Sequence, residues 1–239
     1  DNEKTIYSNV KKLKSGSYIK FSKNKKEYCK YFSFKNLTLK NNYKNLSPNE
    51  INITLDKMIH ESVISRSISD TEVGLFLSGG LDSTLISYYA SKNNSNLKAF
   101  SLGFEQKSFD EVEKSKLISK KLDLDHYIEY FDQKNFSSID FEKIIEKIGE
   151  PLADTAILSN FILSKFTKQY VKVCLSGDGA DEIFSGYDTM DATYLYENIF
   201  SKFNKNINIL LNSLVNMLPD SNKKINNIFK IKKFFDVIV

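Results

Sequence analysis

The chain has 239 residues, 41% apolar and 27% charged, which is enough to bury a large core in a folded domain with an appendage. Thirty-four basic residues against 30 acidic ones give a formal charge of +4, with lysines spread along the chain, which argues against a nucleic-acid-binding face. Cys29 and Cys174 stand far apart with only two histidines to help them, and no apolar run nears the roughly 20 residues of a membrane helix; zinc sites, disulfide frameworks and membrane spans are therefore disfavoured, and a reducing cytoplasm fits.

Residues 1–35 read as short strands and turns, with alternating apolar positions around Gly16 and a polar Ser-Lys-Asn-Lys-Lys turn, a small β appendage. Residues 36–48, rich in Asn and Lys, read as a linker. Ser47-Pro48-Asn49-Glu50 supplies an N-cap, a first-turn proline and a glutamate three residues on, which predicts a helix start. Ile51, Leu55, Met58, Ile59 and Val63 recur at helical spacing and predict one buried face through about Arg66.

Beyond Asp70, strands and helices alternate: strand 73–77, helix 83–92, strand 97–103, helix 110–122 and strand 126–130. Helical patterns over 139–148 and 154–170 follow, then an apolar strand over 171–175. This rhythm predicts an α/β fold, a parallel twisted sheet flanked by helices. From Met190 on, Leu195, Ile199, Phe203, Leu210, Leu214 and Phe229 predict a helical C-terminal part, punctuated by Pro219.

Ser78-Gly79-Gly80-Leu81-Asp82-Ser83 then falls at the carboxyl end of the first of these strands, in a strand-to-helix turn. Adjacent glycines let the backbone bend and approach a ligand closely, and the N–H groups at the helix start favour an anion. The string is neither GxxxxGK[ST] nor GxGxxG. With no lysine in the loop, Asp82 makes sense as a magnesium ligand between the carboxylate and bound phosphates.

"LSGGLDS" resembles the pyrophosphate loop of the N-type ATP pyrophosphatases, and "VKVCLSGDGADEIFSGYD", Val171 to Asp188, resembles the signature of the asparagine synthetase family. "LKAFSLGFEQKSFDE", "LDHYIEYF" and "EPLADTAILSNFILSKF" match the segments between in the same order, so the resemblance covers about 46–188. It implies an adenine nucleotide alpha hydrolase-like fold, with 49–239 as a C-terminally incomplete synthetase domain. "TIYSNVKKLKSGSYIKF" resembles the tail of the preceding glutaminase domain, whose N-terminal cysteine nucleophile would lie far upstream; neither Asp1 nor Cys29 matches it.

The resemblance implies roles residue by residue. Leu77, Ser78, Gly79, Gly80, Leu81, Asp82 and Ser83, with Leu102, Gly103, Ser176 and Gly177, would bind ATP; Leu77 and Leu102 match the apolar positions that sandwich adenine. As the ends of buried strands, the two leucines fit plain core equally well. Asp82 and Asp181 would hold Mg2+ on the pyrophosphate, although Asp181 also suits a helix-capping acid. Asp178 matches the acidic position that orients substrate and handles a proton, and also suits a turn-former between two glycines. Asp110 and Glu111 fit caps of their helix better than a site, and His126 fits a structural residue better than a base.

The implied activity is an ATP-dependent amide-forming ligase: a carboxylate, most simply aspartate, becomes an acyl-adenylate with release of pyrophosphate, and ammonia gives the amide. Ammonia would come from glutamine through a glutaminase domain mostly outside this chain, and the family's late lysine would lie beyond Val239, so the chain alone would lack full activity. A same-family enzyme acting on a sugar acid or closing a lactam or peptide ring is the alternative; a tRNA-modifying ATP pyrophosphatase is a second. Neither nucleic acid nor membrane is expected as a partner, a homodimer is compatible, and the expected location is cytoplasmic.

Overall fold

The computed structural model describes residues 3–23, 25–33, 45–94, 96–107, 110–132, 138–149, 154, 156–218 and 227–238. They fall into two compact units, residues 1–65 with 133–162 and residues 66–132 with 163–239.

The first unit opens with β1 (Ser17–Ser22) and β2 (Lys25–Lys30), an antiparallel hairpin with Tyr18 opposite Cys29 and Phe21 opposite Lys26. Lys26 Nζ lies 4.9 Å from the centroid of Tyr28, a cation–π contact on the exposed strand surface. Most of the expected linker, residues 36–44, lies outside the described residues. Helix α1 (Pro48–Ser67) begins where its capping sequence places it. The Ser47 N–H donates to Glu50 Oε2 at 2.8 Å and the Glu50 N–H to Ser47 Oγ at 3.4 Å, a reciprocal capping box. The single buried face expected along α1 is only partly formed: Val63 is buried, whereas Ile51 and Met58 are exposed. Helical spacing aligned these side chains on one stripe, but a stripe is buried only where another element covers it. α4 (Ser138–Ile148) lies in the same unit, and α5 (Ala156–Thr167) begins there.

The second unit is built on four parallel strands: β3 (Val73–Phe76), β4 (Lys98–Phe104), β5 (Asp125–Phe131) and β6 (Val173–Leu175). Their spatial order is β5-β4-β3-β6. β3, β4 and β5 step outward in one direction, and β6 then returns to the other side of β3, so the order reverses between β3 and β6. In an open parallel sheet a crevice opens at such a reversal, beyond the carboxyl ends of the strands.

α2 (Leu81–Ser91) packs on β3, and α3 (Val112–Lys121) packs on β4 and β5. Leu75, Leu77, Ala99, Phe100 and Val112 form the core under these helices. Phe100 stacks on Tyr127 at a centroid distance of 5.5 Å and meets Phe166 and Tyr170 at 6.1 and 5.6 Å. Full burial of a ring this size contributes about 1.5–3 kcal/mol, which anchors the middle of the sheet.

The helical C-terminal part comprises α6 (Ala180–Phe184), α7 (Asp188–Asn198), a 3-10 turn at Phe200–Lys202, α8 (Lys205–Asn216) and α9 (Asn227–Ile238). Phe200 meets Phe203, Phe234 and Phe235 at 5.7, 5.2 and 5.3 Å, and Lys230 pairs with Asp188 at 2.6 Å. Pro219 lies outside the described residues. No helix among the described residues is long and apolar enough to cross a membrane.

Candidate functional site

β3 ends at Phe76, and the chain turns through Leu77 to Gly80 into α2, which starts at Leu81, two residues before the expected Ser83. Gly80 serves as N-cap with extended backbone (φ −75°, ψ 167°), so no polar side chain marks the start. Two serines staple the turn instead. Ser83 Oγ accepts from the Ser78 N–H at 3.3 Å and lies 3.0 Å from Ser78 Oγ, which accepts from the Gly80 N–H at 3.2 Å. Thr84 Oγ1 donates to the Gly80 carbonyl at 2.6 Å.

Gly79 has φ +84°, a conformation L side chains rarely adopt. A Cβ there would also lie 2.8 Å from Lys114 Cβ and 3.1 Å from the Ser115 nitrogen, because the turn rests against the first turn of α3. The N–H groups of Leu81, Asp82 and Ser83 open α2, where a helix has no internal acceptors to offer. Together they form a surface suited to an anion.

The second turn follows β6. Ser176 Oγ donates to Asp178 Oδ2 at 2.9 Å and accepts from the Asp178 N–H at 3.4 Å, which fixes the exposed Asp178 carboxylate over its own turn. Gly179 (φ +90°) leads into α6, whose first turn carries Asp181 and Glu182. A Cβ on Gly186 would run into Asp181 Oδ1, and the Gly186 N–H donates to the Asp181 carbonyl at 3.0 Å, so the Phe-x-Gly-Tyr part of the motif backs the Asp181 side chain. Tyr187 Oη donates to Glu182 Oε1 at 2.8 Å.

The two turns touch. A Cβ added to Gly177 would sit 3.0 Å from Asp82 Cβ and 3.0 Å from the Ser83 nitrogen. Residues about one hundred positions apart in sequence thus meet at the reversal between β3 and β6. Leu81, 81% exposed, stands at the start of α2, while Leu77 is 1% exposed with its side chain in the core. Leu102 is half-buried on β4 opposite Glu129; Gly103 is buried, and a Cβ there would strike the Tyr130 ring at 2.6 Å, so its small size serves packing in this structure.

Two expected structural roles are visible. Asp110 Oδ1 accepts from the Val112 N–H at 3.4 Å at the start of α3. His126 Nε2 lies 2.7 Å from Ser101 Oγ and its Nδ1 3.1 Å from Ser119 Oγ; burial, then the nearby Lys116 ammonium, holds the imidazole below its ordinary pKa. The Ser101 hydroxyl in turn donates to the Leu77 carbonyl at the mouth of the first turn. Sequence reading passed over Ser101; its signal was a lone hydroxyl inside the apolar strand "KAFSLGF".

Among the described residues no group of three or more His, Cys, Asp or Glu is arranged to hold a metal by itself. Asp82 and Asp181 nevertheless supply hard carboxylate oxygens of the kind Mg2+ prefers. That ion usually takes only one or two protein carboxylates and completes its shell with waters and substrate phosphates.

Family and relatives follow from this chain as a whole. The asparagine synthase family model matches residues 54–233, and the chain belongs to the asparagine synthase family. It is 38% identical over 130 residues to a glutamine-hydrolysing asparagine synthetase of Bacillus subtilis, covering 54% of this chain and 20% of the relative. It is 27% identical over 210 residues to an amidase, chyE, of Penicillium rubens, covering 81% of this chain and 31% of the relative. The chain therefore spans about a fifth to a third of the length of these relatives. Among solved structures, the NMN synthetase of Francisella tularensis superposes with a TM-score of 0.37 at 20% identity, covering 60% of this chain and 59% of that one.

Proposed function

We propose that this chain carries the nucleotide-binding part of an ATP-dependent carbon–nitrogen ligase that makes an amide from a carboxylate and ammonia, with aspartate as the carboxylate and asparagine as the product. The observation that carries the reading is the contact of Gly177 with Asp82 and Ser83, which joins the Ser78–Ser83 turn and the Ser176–Asp181 turn at the reversal of the sheet.

The α- to γ-phosphates lie against the main-chain N–H groups of 79–83, with the helix dipole of α2 favouring their charge. The adenine lies beside Leu102, Ser176 and Gly177 and against the main chain of Leu77 and Gly103, since the Leu77 side chain is in the core. Asp82 and Asp181 would hold Mg2+, which would offset the negative charge of both reactants and of the leaving pyrophosphate. A substrate carboxylate oxygen attacks the α-phosphorus as the bond to the β-phosphate bridging oxygen breaks. Pyrophosphate leaves, and an acyl-adenylate remains.

Ammonia then attacks the acyl carbon. Asp178, held by Ser176, takes a proton from the incoming nitrogen, and AMP departs with the bonding electrons of the acyl–oxygen bond. Ammonia comes from glutamine by way of a glutaminase domain, of which the β1–β2 hairpin unit over 1–35 is the tail, joined by the linker at 36–48 to the synthetase domain over 49–239. The same family reading carries a cytoplasmic location and a homodimer.

The whole protein, given ATP, Mg2+, aspartate and ammonia, is expected to form AMP, pyrophosphate and asparagine in equal amounts. ADP as product would overturn the pyrophosphatase chemistry. AMP that forms only with a different carboxylate would favour the second reading, an amide-forming relative with another acceptor, for which the similarity to an amidase speaks.

A further inference from the structure

The Leu77–Ser78 peptide is the first unit of the candidate phosphate turn, one residue past the end of β3. It is gripped on both sides by side-chain hydroxyls. Ser101, on β4, donates to its carbonyl oxygen, and Ser83, on α2, accepts from its N–H at 3.3 Å. The Leu77 N–H is tied to the Phe100 carbonyl at 2.9 Å, so the approach to the peptide is fixed as well. A peptide unit is planar, and a rotation of this one would swing Ser78 and Gly79 together. Its orientation therefore decides where the N–H groups of the turn point.

Ser101 is buried and its hydroxyl carries one hydrogen, so something must aim that hydrogen at Leu77. His126 does so. With Ser101 donating to the carbonyl, Ser101 Oγ accepts from His126 Nε2–H at 2.7 Å, and His126 Nδ1 faces Ser119 Oγ on α3 at 3.1 Å. With Ser119 turning its single hydrogen to Nδ1 instead of to the Lys116 carbonyl 3.0 Å away, a line of hydrogen bonds runs from α3 through β5 and β4 to the turn that follows β3. It touches the site only through a main-chain carbonyl.

We propose that Ser101 and His126 are positioning residues for the nucleotide: they set the Leu77–Ser78 peptide plane and thereby aim the main-chain donors of the turn at the phosphates. This inference rests on the ATP-dependent reading given above. A displaced donor set of this kind costs about a hundredfold in turnover even where every group that touches the substrate is intact.

The test compares Ser101→Ala, Ser101→Thr, His126→Leu and His126→Gln in the whole protein, by equilibrium ATP binding, by kcat and KM for ATP and for ammonia, and by melting temperature. Ser101→Ala and His126→Leu are expected to lower kcat/KM for ATP about a hundredfold with KM for ammonia unchanged. Ser101→Thr keeps the hydroxyl and His126→Gln keeps an N–H near the Nε2 position, and both should recover most of the loss. If folded Ser101→Ala binds and uses ATP as the wild type does, the positioning role is overturned while the ATP reading stands. If Ser101→Ala does not fold, the His126 pair decides: equal kinetics in His126→Leu and His126→Gln overturn the role, and a split between them supports it. A wild-type protein that binds no ATP overturns the ATP reading and this inference with it.

Discussion

Gly177 and Asp82 meet across two turns that lie almost a hundred residues apart in the chain, so closely that a Cβ on Gly177 would sit 3.0 Å from both Asp82 Cβ and the Ser83 nitrogen. The contact sets the spacing between the Asp82 side of the crevice and the Asp178–Asp181 side. Gly177→Ala must push the turns apart by a few tenths of an ångström at least. Overpacking of this kind costs about 1–3 kcal/mol. The variant is expected to fold with a lowered melting temperature and to lose pyrophosphate release at least tenfold, measured by pyrophosphate-coupled assay; wild-type turnover would show that the spacing is irrelevant to the chemistry.

The capping box of α1 yields a stability prediction independent of the site. Ser47→Ala removes the hydroxyl that bonds Glu50 Oε2 at 2.7 Å and leaves an N-terminal donor without its acceptor, at a cost of about 1 kcal/mol. Ser47 also holds the Glu50 carboxyl below the usual carboxylate range, chiefly through its hydroxyl and then through its N–H. Denaturant titration should show the midpoint fall in Ser47→Ala and stay near wild type in Ser47→Thr.

Much of the fold was legible because local signals and tertiary demands agreed. The capping box, the apolar strands and the two glycine-bearing turns all stand where their residue types predict. α2 starts two residues before the expected Ser83 because Gly80 caps it with backbone alone, while Ser83 spends its hydroxyl on stapling Ser78. β6 begins at Val173 and not at Val171, since the Val171 N–H still donates to the Thr167 carbonyl at 3.0 Å, in the turn that ends α5. The touch of Gly177 on Asp82 could not be read locally: it depends on strand order, which a single sequence does not state. Ser101 was hidden for a similar reason, because its partners come from the turn after β3 and from β5.

Cys174 should be chemically quiet. Burial pushes its thiol up to about 11, against a smaller lowering by a main-chain hydrogen bond with Gly74. The thiolate is the reactive species, so near pH 8 the reactive fraction is on the order of one in a thousand. Iodoacetamide treatment followed by peptide mass spectrometry should leave Cys174 unmodified in the native protein and label it in denaturant. Rapid native labelling would place it in a more open environment than the one beside Gly74.

His126 predicts a pH dependence of stability. Its imidazole is held below the ordinary histidine value by burial first and by Lys116 second, so the unfolded chain takes up this proton before the folded one. Stability is thus full above the ordinary histidine value and falls as the pH drops from there toward the lowered folded value. Melting temperature followed through this window should decline more steeply for the wild type than for His126→Gln. Equal slopes would mean that His126 titrates alike in both states.

The proposed pairing of Asp82 with Asp181 at a nucleotide is tested most directly by measuring Mg2+-dependent pyrophosphate release in the whole protein carrying Asp82→Asn or Asp181→Asn. Each variant should keep the far-ultraviolet circular dichroism of the wild type and lose release by at least a hundredfold, with any remaining activity needing higher Mg2+. Turnover at the wild-type rate and the wild-type Mg2+ requirement in either variant would contradict it.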